Sequence, residues 1–176
     1  MKKILFCLAI VFTASTAIAG SKPIQLSLTP NIALHGQDET IEGLTLSIWG
    51  ENRQKALSLG IVNGSNGQSV GLSLGLFNYA DCYSGIHWGW VNYTKNNFSG
   101  LQLGIANYAG QMKGLQLGYV NWAEHMNGVQ FGLLNYAETA QTGVQIGIVN
   151  IIAQNKWFDN FPDEVAPGML FVNWRF

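Results

Sequence analysis

Three consecutive windows read GLQLGIANYAGQMK from Gly100, GLQLGYVNWAEHMN from Gly114 and GVQFGLLNYAETAQT from Gly128. They stand almost in register, and five further copies flank them, which begin at Gly43, Ala56, Gly71, Gly85 and Gly143. Successive starts differ by 13, 15, 14, 15, 14, 14 and 15 residues, so eight repeats cover residues 43–156. Self-similarity at a fixed period is the signature of a repeat architecture.

The copies share the consensus G-φ-Q-φ-G-φ-φ-N-aromatic-A, in which φ is an apolar residue, and those that begin at Gly43 and Ala56 are more degenerate. Apolar and polar positions alternate, as in Leu115, Gln116 and Leu117, which is typical of a β-strand. No proline interrupts residues 31–161, and glycines within the repeats disfavour a helix. We therefore predict one strand and one short turn per repeat. Residues 24–28 and 167–176 can add a first and a last strand, which gives about ten.

The distribution of charge favours a membrane-embedded sheet. Charged residues make up 11% of the chain, less than half of the roughly 25% that is typical. Five of them lie between residues 56 and 153, all in predicted turns: Asp81, Lys95, Lys113, Glu124 and Glu138. A soluble antiparallel sheet normally carries charges on its exposed face. We therefore predict an all-β antiparallel meander that closes as a small outer-membrane-type β-barrel, with Leu and Ile facing lipid and Gln and Gly facing the interior.

A β-solenoid with coils of 14–15 residues is the alternative. Stacked coils would align identical amide side chains in ladders, which stabilise stacked strands. The asparagine ladder would contain Asn63, Asn78, Asn92, Asn107, Asn121, Asn135 and Asn150, and the glutamine ladder Gln102, Gln116, Gln130 and Gln145. Leu and Ile would then point inward. Such a protein would be a periplasmic or secreted module that binds partners through stacked Gln and aromatic columns.

The first residues have the pattern of a cleaved signal peptide over residues 1–19. Lys2 and Lys3 precede an apolar run, and Ala17-Ile18-Ala19 is a small-residue cleavage site. Residues 20–176 are then expected to form a single repeat-built β domain. We predict export to the outer membrane or cell surface, with the periplasm as the alternative.

The last residues resemble the C-terminal strand by which Gram-negative outer-membrane barrels are recognised. Leu170, Val172, Trp174 and Phe176 alternate with other residues and end in a terminal aromatic. This pattern adds to the prediction of an outer-membrane location.

The repeat G-L-Q-x-G-φ-V-N and the closing Val-Asn-Trp-Arg-Phe resemble the exported bacterial "surface repeat" proteins over nearly all of residues 23–176. The resemblance implies a cell-surface or envelope location and supplies no catalytic residue. Some members look like lipoproteins, whereas this chain lacks a lipobox cysteine.

The sequence shows no pattern of a catalytic, cofactor or metal site. His35, His87 and His125 lack metal-ligand spacing, and Cys82 has no basic neighbour in the sequence. The acidic clusters at 38–42 and 159–164 are interpreted as solvated loop residues. We therefore predict a structural or surface component that is not an enzyme, and an outer-membrane hydrolase is the weaker alternative. The net charge of −1 gives no case for nucleic acid. A protein or glycan partner stays open.

Overall fold

The chain folds as a β-solenoid of about seven turns, and the computed structural model describes residues 21–176. The prediction of a β-barrel is therefore wrong. Consecutive strands pair in parallel, because the chain returns to the same side of the sheet after each repeat. An antiparallel meander would reverse direction at every turn. The predicted signal peptide at 1–19 lies outside the described residues.

The described residues form ten strands and no helix. The strands are β1 Ser21–Thr29, β2 Ile32–Ala33, β3 Thr40–Glu51, β4 Arg53–Gln54, β5 Leu57–Leu74, β6 Phe77–Trp88, β7 Val91–Leu103, β8 Ala106–Leu117, β9 Val120–Ile152 and β10 Gly168–Arg175. The longest, β9, bends through more than one repeat. Their order in the sheet follows the chain from β3 to β10, so each repeat contacts the repeats before and after it.

Every coil places equivalent repeat positions side by side. Asn107 pairs with Asn121, Gly114 with Gly128 and Gln116 with Gln130. Where a repeat has 15 residues, the pairing shifts at one bend, for example between Thr94 and Asn97. The extra residue is therefore absorbed at that bend, and the ladders stay in register.

Each coil has two flat faces and two bends. The asparagine face carries the segment φ-N-aromatic-A, as in residues 120–123, and the glutamine face carries segments such as 112–117. The two faces meet at a bend that contains Gly-φ, such as Gly118-Tyr119, which we call the glycine edge. They also meet at a bend with polar residues, such as Glu124-His125, which we call the polar edge.

The interior contains two ladders of amide side chains and a column of buried apolar side chains formed by Tyr83, Phe98, Met112 and Met126. The asparagine ladder donates forward along the chain: Asn107 Nδ2 donates to Asn121 Oδ1 at 2.9 Å, and Asn121 Nδ2 to Asn135 Oδ1 at 2.8 Å. The glutamine ladder donates backward, since Gln130 Nε2 donates to Gln116 Oε1 at 2.7 Å. These side chains are fully buried. Burial of an amide is tolerated because each one is hydrogen-bonded to its neighbours.

Leu and Ile of the repeats point outward, so the inward orientation expected for a solenoid is wrong. Side chains alternate along a strand, and Gln116 takes the inward position between Leu115 and Leu117. Neighbouring coils are also closely stacked: a Cβ atom on Gly114 would lie 2.2 Å from the Gly100 carbonyl oxygen of the preceding coil, and the φ of Gly114 is +124°. Ala109, Ala123, Met112 and other members of one narrow cluster fill the remaining interior. The inward positions are therefore occupied by paired amides, alanines and the apolar column from Tyr83 to Met126, and the leucines of the repeats lie on the outer faces.

Both ends of the solenoid are capped. At the first end, β1 pairs in parallel with β3 and in antiparallel with β2. At the other end, residues 153–167 lead into β10, which pairs in antiparallel with β9 and buries Asn173. The Arg175 guanidinium donates to the Glu164 carboxylate and ties this cap together.

Candidate functional site

The glycine edge presents one exposed apolar side chain in each of seven coils. Between 45% and 63% of each residue is accessible to solvent. The column contains Ile61, Leu76, Trp90, Ile105, Tyr119, Leu133 and Ile148. At about 4.8 Å per coil, it is about 29 Å long. Single exposed apolar residues are common on protein surfaces, but a continuous row of this length is not.

Apolar columns continue from the glycine edge onto both faces. On the asparagine face the next outward column contains Val91, Val120 and Leu134, and on the glutamine face it contains Trp88, Leu117 and Phe131. Together with the glycine edge, these columns form a surface that we call the apolar wall. It also borders a shallow apolar depression between Phe131, Ile148 and Phe171 of β10.

An aromatic column borders the apolar wall on the asparagine face. It contains Tyr79, Tyr93, Tyr108, Trp122 and Tyr136. The rings of Tyr93 and Tyr108 stack with centroids 4.8 Å apart, and those of Trp122 and Tyr136 with centroids 4.0 Å apart. Stacked tyrosine and tryptophan rings present an apolar surface with polar tips.

The tips of two tyrosines are tied to carboxylates. Tyr108 Oη donates to Glu124 Oε1 at 2.6 Å, and Tyr79 Oη donates to Glu51 Oε2 at 2.6 Å. The hydrogen bond to Glu124 raises the pKa of Tyr108 to about 12. Burial, followed by the hydrogen bond to Glu51, raises the pKa of Tyr79 to about 12. Both tyrosines are therefore neutral and point their hydroxyl groups toward carboxylates.

The polar edge, opposite the glycine edge, carries the charge of the repeats. Asp81, Lys95, Glu124 and Glu138 lie at this bend, and Lys113 lies beside it on the glutamine face. All five were predicted to lie in turns between antiparallel strands; the structure instead places four of them at a bend of the solenoid and Lys113 within β8 on the glutamine face. The outer surface is therefore divided into an apolar wall and a charged edge.

The histidines are far apart and have different surroundings. His35 lies near the first cap, where its backbone N–H donates to Gln25 Oε1 at 2.9 Å. His125 is exposed on the polar edge, and its Nδ1 lies 2.6 Å from Thr139 Oγ1. His87 is buried in the column that the glutamine ladder occupies in later coils, with its ring 4.0 Å from that of Tyr83. Burial lowers the pKa of His87 to about 3.

The acidic clusters form local contacts at the two caps. Glu42 accepts hydrogen bonds from Lys55 Nζ at 2.8 Å and from Ser21 Oγ at 3.0 Å, and these bonds lower the pKa of Glu42. Glu164 pairs with Arg175. No group of three or more His, Cys, Asp or Glu residues within 21–176 is arranged to hold a metal ion. Cys82 is half-buried on the polar edge.

The sequence analysis did not identify the apolar wall. The pattern that indicates it is the pair of apolar residues between Gly and Asn in the repeats, such as Tyr119 and Val120. Two consecutive residues can both point outward only where a strand bends. The buried glutamine ladder, by contrast, is not a binding surface, so the expectation that partners bind stacked glutamines is wrong.

Comparison with protein-family models, curated proteins and solved structures finds no match to this chain. The resemblance to surface-repeat proteins therefore stays a prediction. Residues 21–176 contain no helix with the length and apolarity that crossing a bilayer requires.

Proposed function

We propose that this protein is an exported, non-catalytic component of the cell envelope that lies on a lipid surface, with its glycine edge inserted in one leaflet. The polar edge then faces water. In this arrangement the solenoid does not cross the bilayer. It binds to the surface of the bilayer as a rigid, elongated structural element.

The observation that carries this proposal is the order of the columns from edge to edge. On the asparagine face an apolar edge column is followed by an apolar column, an aromatic column and a charged bend, as in Tyr119, Val120, Trp122 and Glu124. The distance from residue 119 to residue 122 is about 10 Å in an extended strand. Amphipathic elements at membrane surfaces insert their apolar side by about 5–10 Å, and Tyr and Trp prefer the lipid–water boundary.

A lipid surface explains the apolar wall better than a second copy of the chain does. The wall covers the glycine edge and continues onto both faces. A flat contact with a second copy would cover one face and leave the other exposed. A fluid lipid phase can contact the edge and both faces at the same time. The predicted signal peptide at 1–19 is consistent with delivery of the chain to an envelope.

Flotation with phosphatidylcholine vesicles tests the proposal. We expect the purified protein, residues 20–176, to float with uncharged vesicles and to remain bound at high salt, because apolar contact and not charge drives the binding. The double variant Tyr119→Glu/Leu133→Glu places two carboxylates on the glycine edge. It should lose most of its vesicle binding, since charges are costly in the hydrocarbon region.

The matched control is His125→Glu/Thr139→Glu, which adds two carboxylates to the same two coils on the polar edge. We expect it to float like the unmodified protein. Equal loss in both double variants would contradict the proposal. Absence of flotation together with a stable dimer in light scattering would assign the apolar wall to contact between copies.

A further inference from the structure

A groove of about 540 Å³ runs along the polar edge, perpendicular to the strands. One rim is formed by Gln68, Cys82, Asn97, Gln111, His125 and Thr139, and the other includes Ser84, Ser99, Lys113 and Asn127. Gln111 pairs with both Asn97 and His125 in register, so the rim side chains repeat once per coil. Six coils span about 24 Å from the first to the last.

The middle of the groove has unused hydrogen-bonding capacity. The side chains of Ser84, Ser99, Gln111 and Lys113 are exposed to solvent, and none of the side-chain hydrogen bonds within residues 21–176 involves them. At the far end, by contrast, Asn127 Nδ2 donates to Gln141 Oε1 at 3.4 Å. The amide of Gln111 can both donate and accept, as can the two hydroxyl groups. The central coils therefore offer paired donors and acceptors to a ligand.

The charge and hydrogen-bonding groups of the two rims indicate which class of polymer could bind in the groove. No carboxylate lines the groove and Lys113 is its one lysine or arginine, so neither a polycation nor a polyanion is matched by the charge. An extended peptide binds a sheet by pairing with an open backbone edge. Here the groove crosses strands whose backbones already pair with neighbouring coils. A ligand must therefore bind through side chains alone.

We propose that this groove binds an extended, neutral polysaccharide chain, with successive sugars held by successive coils. Sugar hydroxyl groups donate and accept, which matches amide and hydroxyl side chains. The advance per sugar in an extended β-linked glycan is close to one strand spacing. The groove lies opposite the glycine edge, so a bound lipid surface leaves it open to water. The glycan site does not depend on lipid binding.

Titration calorimetry with defined hexasaccharides tests this inference. Cellohexaose and chitohexaose are the neutral probes, and hexagalacturonate is the anionic one. We expect saturable binding of at least one neutral hexasaccharide. The variant Ser99→Ala/Gln111→Ala removes two of the hydrogen-bonding groups. It should weaken that binding about tenfold, since one hydrogen bond contributes about 0.5–1.5 kcal/mol and 1.4 kcal/mol is a factor of ten.

The control Lys95→Ala/Glu138→Ala changes two exposed residues of the same edge that do not line the groove, and it should bind like the unmodified protein. Circular dichroism and vesicle flotation report whether each variant keeps its fold and its apolar wall. The inference is overturned by the absence of binding to both neutral probes. Preference for hexagalacturonate, or unchanged affinity in Ser99→Ala/Gln111→Ala, would also overturn it.

Discussion

The two amide ladders of the interior differ in how they end. The asparagine ladder extends over seven coils, and both ends are satisfied: Asn63 Oδ1 accepts from Ser47 Oγ, and Asn150 Nδ2 donates to the Gly147 carbonyl. The glutamine ladder covers four coils. Among the described residues, Gln145 Oε1 at its last member is buried without a partner, whereas Gln102 Nε2 at its first member donates to Thr94 Oγ1 and to the Tyr108 carbonyl. One coil before Gln102, His87 Nδ1 is also buried without a partner.

An amide ladder is therefore stable where it continues, whereas at its end a buried amide group without a partner lowers the stability of the fold. Within a ladder each amide finds its partner one coil away, so repetition satisfies every donor and acceptor. At an end, the adjoining residue must supply the missing partner. Ser47 does so for the asparagine ladder and Thr94 for Gln102, whereas the described residues supply no donor to Gln145 Oε1. His87, one coil before Gln102, contacts the rings of Tyr83 and Phe98.

The largest effect is expected from breaking the complete ladder at its centre. Asn121→Leu removes the bonds to Asn107, Asn135 and the Phe131 carbonyl, and leaves buried partners unsatisfied. Since an orphaned buried group costs about 1–3 kcal/mol, we expect a loss of about 4 kcal/mol in the free energy of unfolding. Urea titration followed by circular dichroism measures it. The neighbouring exposed substitution Trp122→Leu is the control, and an equal loss there would contradict the account.

The next effect concerns the spacing between coils, on which both ladders depend. Gly114→Ala places a methyl group 2.2 Å from the Gly100 carbonyl oxygen at a φ of +124°. We expect a loss of about 3 kcal/mol, because overpacking and backbone strain add. Gly168→Ala in the cap meets nothing within 4 Å and should be nearly neutral. Thermal unfolding compares the two, and similar melting temperatures would refute close packing at Gly114.

The third effect is a pH dependence at the end of the glutamine ladder. Burial lowers the pKa of His87 to about 3 from its usual 6.5, so the unfolded chain takes up a proton between these values and the folded chain does not. Stability is therefore complete above pH 6.5 and is lost as the pH falls toward 3. Between pH 7 and pH 5 we expect a loss of about 2 kcal/mol.

Urea titrations at both pH values, with His87→Gln beside the unmodified protein, isolate this contribution. The other ionisable groups are common to both chains. A His87→Gln variant that loses as much stability as the unmodified protein would show that His87 is not the source.

The smallest effect is a gain from extending the shorter ladder. At neutral pH, His87→Gln supplies an amide one coil before Gln102, whose Nε2 now donates to Thr94 Oγ1 at 3.3 Å. We expect stabilisation by about 1 kcal/mol, the net contribution of one hydrogen bond. A lower melting temperature would show that the ring contacts of His87 with Tyr83 and Phe98 outweigh the amide bond.

The sequence predicted the repeats, the strand character and the membership of both amide columns, because these depend on local alternation and fixed spacing. It did not decide between a barrel and a solenoid. Strands without charges, with Leu outward and Gln inward, are compatible with a membrane barrel and with a solenoid, because amides can line the interior of both folds and apolar side chains can cover the exterior of both. The structure has Leu outward and Gln inward, as was predicted for the barrel. Its strands, however, are connected as in the alternative, the β-solenoid.

A signal that separates the two was present in the repeat itself. In an antiparallel meander, neighbouring strands run in opposite directions, so Asn107 and Asn121 would not lie side by side. Asn recurs at the same position in seven of the eight copies, and parallel stacking places equivalent residues side by side. The alternation of Leu and Gln shows that they face opposite sides of the strand but not which side is inside, so Leu was placed outward in the barrel and inward in the solenoid.

Spin-label accessibility tests directly whether the glycine edge contacts lipid while the polar edge stays in water. Nitroxides are attached one at a time at Tyr119→Cys and His125→Cys in a Cys82→Ser background, with phosphatidylcholine vesicles present. The account predicts high collision rates with oxygen and low rates with a water-soluble nickel complex at position 119, and the reverse at position 125. Exclusion of both reagents at position 119, or equal access of the nickel complex to both positions, would contradict it.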